Sequence, residues 1–137
     1  MRRILSLDIG EVRIGVAISD PLGLFAQGVT VLKTQEDWLG QLKKIIDEKN
    51  VDTLLIGLPI RTDGTEGPEA LKMRDTADTI KQHIGTAEIV FWDERFTTAI
   101  AQQALLEADV SRAGRKQSVD KIAATLLLQS YLDRERK

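Results

Sequence analysis

The chain has 137 residues, of which 42% are apolar and 29% charged, with three prolines and a formal net charge of -2. That length suits a single domain over 1–137 that buries roughly two-thirds of the surface its unfolded form exposes. The composition excludes a disordered or low-complexity chain. The slight acidic excess excludes a protein that coats nucleic acid through overall basicity, so any such contact must come from a local basic patch.

Cysteine is absent, which rules out disulfides, thiolate metal sites and a cysteine nucleophile and leaves oxygen as the ligand for any metal. The basic start Met1-Arg2-Arg3 leads into an apolar run that meets Asp8 within a few residues. Such a run is too short for a signal-peptide core or a membrane span. The expected location is the cytoplasm, without membrane association.

In the first expected strand Leu5, Leu7 and Ile9 alternate with Ile4, Ser6 and Asp8, which sends Asp8 to the face opposite Leu7. Gly10 frees the turn. On the return strand Ile14, Val16 and Ile18 alternate with Gly15, Ala17 and Ser19, leaving one face of small residues open to a close-packed helix or a phosphate. Pro21-Leu22-Gly23 makes the next turn, and 24–31 reads as a third strand that completes an antiparallel meander.

From Glu36 the period becomes helical, with Trp38, Leu39, Leu42, Ile45 and Ile46 on one face, Trp38 expected in the core, and Asn50 at the end. Thr53 to Leu58 is a continuous apolar run of the kind covered on both faces of a sheet, stopped by Pro59. A polar loop over 61–68 precedes a helix expected over 69–84, with Gly85 as its C-cap and His83 as a surface or capping residue. A fifth strand over 88–92 runs into Asp93-Glu94-Arg95. Thr97 and Thr98 suit the N-cap of a helix over 99–108, a basic loop follows over 110–117, and Ser118 caps a final apolar helix.

Three strands in a meander, followed by alternating helices and strands, describe a mixed five-stranded α/β sheet with helices on both faces. Right-handed crossovers place strand four beside strand one and strand five beyond it. The resulting order, 3-2-1-4-5, is that of the ribonuclease H-like fold.

This topology brings Asp8, Glu94 and Asp120 to ends that can converge on one sheet edge, where carboxylates could hold the two divalent ions of a phosphodiester hydrolysis. Each acid also has a plainer reading. Asp8 could simply end a strand, Glu94 could be a loop residue paired with Arg95, and Asp120, at about N2, could answer the helix dipole. Strand four ends in Gly57-Leu58-Pro59 without a carboxylate, so Glu94 must reach back across that strand, roughly 10 Å, to share a metal with Asp8.

Four blocks carry a family resemblance. Leu7-Asp8-Ile9-Gly10 with Arg13-Ile14-Gly15-Val16-Ala17 comes first, then Gly57-Leu58-Pro59 with Asp63-Gly64-Thr65-Glu66-Gly67-Pro68. Trp92-Asp93-Glu94-Arg95-Phe96-Thr97-Thr98 and Val119-Asp120-Lys121-Ile122-Ala123-Ala124 follow. In that order and spacing the chain resembles the YqgF/RuvX family. The resemblance implies a ribonuclease H-like, Mg²⁺- or Mn²⁺-dependent nuclease related to Holliday-junction resolvases, with a role in maturing the 5′ end of pre-16S rRNA in the bacterial cytoplasm. It also implies Asp8, Glu94 and Asp120 as catalytic, metal-binding acids.

Arg13, Arg95, Arg112, Arg115 and Lys116 are the candidates for phosphate contacts with pre-rRNA or branched DNA. A resolvase needs a symmetric dimer to make paired cuts, whereas single-site RNA trimming does not; the expected state is a monomer or weak homodimer. Two other classes compete. One is a binding module for nucleic acid or protein whose acids do no chemistry. The other is a phosphate-binding ATPase of the actin and hexokinase type, opened by a similar Asp-x-Gly hairpin. Those ATPases enclose nucleotide between two such domains, and 137 residues supply one.

Overall fold

The computed structural model describes residues 3–97 and 116–135, with side chains of the last helix from residue 120 onward. Strands β1 (Ile4–Ile9), β2 (Arg13–Ser19) and β3 (Ala26–Lys33) form the meander. Helix α1 (Trp38–Lys49), strand β4 (Thr53–Leu58), helix α2 (Pro68–His83) and strand β5 (Glu88–Asp93) follow. A single 3₁₀ turn (Glu94–Phe96) and helix α3 (Lys116–Glu135) complete the described elements. The sheet order is β3-β2-β1-β4-β5, with β4 parallel to β1 and to β5.

The period-2 pattern sorts the core into two layers. Leu5, Leu7, Ile14, Val16, Ile18, Leu54 and Ile56 face Leu42, Ile46, Ala77 and Ile80 of α1 and α2. On the other face Ile4, Ala17 and Leu55 meet Ala124, Leu127, Leu128, Tyr131 and Leu132 of α3. The two helices that serve as strand crossovers cover one face, and among the described residues α3 covers the other.

The small-residue face of β2 is where α3 comes closest. A Cβ built on Gly15 would stand 2.1 Å from the carbonyl oxygen of Asp120, and one on Gly28 of β3 would meet the Lys121 side chain at 2.6 Å. Buried Ser6 donates from Oγ to the carbonyl of Ala124 at 2.7 Å, tying β1 to the same helix. At the far end the Gln129 amide accepts from the Ala26 N–H at 2.9 Å and donates to the Leu24 carbonyl at 3.0 Å. A buried hydroxyl and a terminal amide thus fix the axial position of α3, because leaving either strand group unpaired costs more than forming the bond gains.

Several boundaries differ from the sequence reading for local reasons. β3 starts at Ala26 and runs to Lys33, two residues late, because the Asp20 carboxylate holds the Leu24 and Phe25 N–H groups in the turn. α1 starts at Trp38 rather than Glu36, since the Asp37 carboxylate accepts from the Gly40 N–H as N-cap. Asn50 closes it in the left-handed region at φ 54°. α2 begins at Pro68 and ends with Ile84, not Gly85, as its C-cap. Trp38 is half-buried against the core instead of enclosed by it. The helix expected over 99–108 lies outside the described residues.

Gly15→Ala drives a methyl into the α3 backbone and is expected to destabilise the fold by at least about 2 kcal/mol. Gly85→Ala, whose methyl would meet nothing nearer than 3.8 Å, is expected to leave stability within about 0.5 kcal/mol. Urea unfolding of both variants checks the contrast.

Candidate active site

Asp8 lies on the α3 face near the end of β1, and its register partner on β2 is Gly15. Because Gly15 has no side chain, the backbone of Asp120 settles directly over it, one strand from Asp8. Burial, and next the charge of Asp120, push the Asp8 carboxyl up to about 6 from 3.8. α3 starts at Lys116, so Asp120 stands beyond the first turn and not near N2. That corrects the expected position and removes the helix dipole as the reason for an acid there, since that effect fades beyond the first turn.

Glu94 does cross strand four. A Cβ on Gly57 would fall 2.8 Å from Glu94 Oε1 and 3.2 Å from its Cγ, so the glutamate lies back over β4 in the space a side chain would fill. Its carboxyl is also raised, by burial first, then by the charges of Asp8 and Asp93. A glycine inside the otherwise bulky run Thr53-Leu54-Leu55-Ile56-Gly57-Leu58 is the sequence signal for this close approach.

The turn that aims Glu94 is set by its neighbours. The Asp93 carboxylate accepts from the Arg95 N–H at 2.9 Å and takes the Arg95 guanidinium at 2.7 and 2.9 Å. Arg95 also donates to the Arg61 carbonyl at 3.3 Å. Hydrogen bonding to Arg95 holds the Asp93 carboxyl below its ordinary value. Arg95 therefore pairs with Asp93, not with Glu94, and its fork is turned toward the 61–65 turn.

Among the other expected contacts, Arg13 opens β2 on the same face as Gly15 and makes no ion pair among the described residues. Lys116 is the first residue of α3. Arg112 and Arg115 lie outside the described residues. A cleft of about 970 Å³ opens at the same edge and runs from Asp8 and Glu94 to the face opposite α3, between the β1–β2 turn and the first turns of α1 and α2. The sequence pattern gave no sign of it, because its walls come from five separate segments.

The donor set suits a hard cation. Asp8, Glu94 and Asp120 offer only oxygen, and no basic side chain among the causes of either raised pKa offsets the repulsion at Asp8 and Glu94. No set of three such groups among the described residues is drawn tightly enough to enclose an ion unaided. The arrangement fits an open site in which water and a phosphate oxygen complete the shell, as magnesium prefers.

Solved structures of similar shape include junction resolvases. The chain aligns with Thermus thermophilus RuvC in complex with Holliday junction substrate at a TM-score of 0.63 and 10% identity, covering 98% of this chain and 95% of that one. It aligns with the fowlpox virus resolvase bound to Holliday junction DNA at 0.57 and 13% identity, covering 98% and 99%. At these identities the likeness establishes the RuvC-like, ribonuclease H-like fold. Residues 2–134 match the family described as "RuvX: Holliday junction resolvase". A protein from Clostridium botulinum (strain Hall) named "Putative pre-16S rRNA nuclease" is 52% identical over 133 residues, 96% of each chain. One of the same name from strain Alaska E43 is 48% identical over 134 residues, covering 96% of this chain and 97% of that one. The chain belongs to the RuvX family.

The raised Asp8 carboxyl has a consequence for stability. The folded state holds the proton up to about pH 6, whereas the unfolded chain releases it near 3.8. Asp8 thus subtracts stability as pH rises through that window, on the order of 3 kcal/mol in full. Carboxyls held below their ordinary values, such as Asp63 and Asp93, act in the opposite sense and only at lower pH. In chelator, Asp8→Asn is expected to gain on the parent chain between pH 4 and pH 7, read from urea midpoints; a pH-independent difference would contradict the strain assigned to Asp8.

Proposed function

We propose that this chain is a metal-dependent nuclease of the bacterial cytoplasm that trims the 5′ end of pre-16S rRNA. The carrying observation is the gathering of Asp8 and Glu94 across Gly57, with Asp120 seated over Gly15. A purely structural role would not favour it, since unneutralised like charges in a half-buried place destabilise the fold. The names of the relatives that are about half identical over nearly the whole chain support the RNA substrate.

When bound by Asp8, Glu94 and Asp120, Mg²⁺ or Mn²⁺ supplies a Lewis acid that activates water and stabilises the leaving oxygen. Asp8, at the centre of the three, would hold the ion from the sheet, with Glu94 and Asp120 reaching it from the strands on either side. Arg13, which opens β2, is the candidate for neutralising a flanking phosphate, and Arg112, Arg115 and Lys116 are the candidates for further backbone contacts. Arg95 serves as a positioning residue, since its bond to Asp93 holds the turn that presents Glu94.

A Holliday-junction resolvase is the second reading, favoured by the family description and the fold. Cleavage of a precursor 16S RNA and of a four-way DNA junction, run side by side with Mg²⁺ or Mn²⁺, separates the two. The RNA is expected to be cut, with Asp8→Asn, Glu94→Gln and Asp120→Asn each losing at least about a hundredfold in rate while remaining folded. Junction cleavage alone would install the second reading. Undiminished cleavage by the three variants would remove the site, and absence of cleavage on both substrates would leave a binding module.

Replacing Arg112, Arg115 and Lys116 together by alanine is expected to weaken RNA binding and to flatten its dependence on salt, because fewer counterions are released on binding. Affinities measured between 50 and 200 mM salt read this directly; an unchanged slope would place the basic loop away from the RNA.

A further inference from the structure

The three-carboxylate reading makes no use of the cleft beside it. Asp8 and Glu94 line the cleft together with Trp38 of α1, Met73 of α2 and the apolar Ile9 and Ile14. Trp38 and Met73 are both half-buried and pack against the core beneath them, so the indole is held by its surroundings while part of it faces the opening. The Thr34 hydroxyl donates to the Glu11 carbonyl at 2.8 Å, which braces the β1–β2 turn against the segment leading into Trp38. The wall is thus built, not a gap between unattached loops.

The chemistry of the walls points to a base and not to a further phosphate. Glu11 and Glu69 line the cleft, which disfavours a second phosphate but suits the amino groups of a base edge. Among the described residues the one basic side chain in the lining is Lys72, exposed on α2. An aromatic face, a thioether and aliphatic side chains suit the flat surface of a nucleobase, the usual means by which unpaired nucleotides are held. The volume is ample for a base with its sugar, at the upper end of the range of small-molecule pockets. Because Asp8 and Glu94 belong to both places, whatever fills the cleft is joined to the phosphate at the acids.

We propose that the cleft between Trp38 and Met73 seats one unpaired nucleobase next to the phosphate held at Asp8 and Glu94. A paired nucleotide cannot enter it, so the substrate must be single-stranded, or open, beside the cut. This rests on the nuclease reading for its biological sense, but the seat itself is a binding property and can be measured without cleavage.

The test uses the full chain with Ca²⁺ in place of Mg²⁺, so that the acids can hold a phosphate while hydrolysis is suppressed. In a Trp92→Phe chain Trp38 is the only indole, the sequence holding two. Its fluorescence is expected to be quenched by a short single-stranded RNA and not by the same RNA annealed to its complement. Trp38→Leu is expected to bind the single strand about tenfold more weakly, Trp38→Phe to stay within about threefold of the parent, and duplex affinity to be unchanged in both. An abasic nucleotide moved along the single strand is expected to reproduce the Trp38→Leu loss at one position only, a readout that needs no altered protein. Equal quenching by single and double strands, equal weakening of both by Trp38→Leu, or indifference to the abasic position would each overturn the seat. Cleavage that fails while these binding results hold removes the nuclease reading and leaves the seat; cleavage that persists with Trp38 unquenched does the reverse.

Discussion

The approach of α3 to the sheet at Gly15 is the constraint on which the site depends. A helix backbone can lie against a strand at that distance only where the strand carries no side chain, and Gly15 with Ala17 provides such a strip on β2. The Ser6 hydroxyl bound to the Ala124 carbonyl fixes how far the helix slides along it. Once the helix is seated and its axial position set, Asp120 can stand only where it does, one strand from Asp8. The same device is used a second time at Gly57, where the absent side chain admits Glu94. Two glycines on neighbouring strands of β1 therefore define the site as much as the acids do.

Three acids gathered this way work against the fold. Both raised carboxyls owe their shift first to burial and next to another acid of the group, so each carries an electrostatic cost in its charged form. The stability needed to hold them comes from the two apolar layers, above all from the fully enclosed Leu5, Leu7, Leu54, Leu55 and Ile56 of the central strands β1 and β4. Apolar side chains at the middle of β1 support an acid at its end.

Much of the fold was legible from local pattern. The alternation through β1 and β2 assigned every side chain to its face, and the unbroken apolar run at Thr53–Leu58 marked the doubly covered strand. Boundaries shifted where a single carboxylate intervened, as Asp20 and Asp37 did, because a side-chain bond to a backbone N–H competes with the next strand or helix bond. For the site, Asp8 stood out in the sequence as an acid ending an apolar strand. The pairing of Glu94 with Arg95 was a reasonable reading of adjacent charges, yet neighbours in sequence point apart around the 3₁₀ turn, and Asp93 takes the arginine instead.

What the sequence determined by itself was the order of elements, the face each strand side chain takes and the candidate acids, because these follow from short-range periodicity and residue chemistry. Tertiary structure alone decided that Gly57 would make way for Glu94, that Asp120 would sit past the first turn of its helix, and that Trp38 would line a cleft instead of filling a core. Each of these is set by how closely separate segments approach one another. That distance depends on the volume of side chains on both partners at once, and no single stretch of sequence contains it.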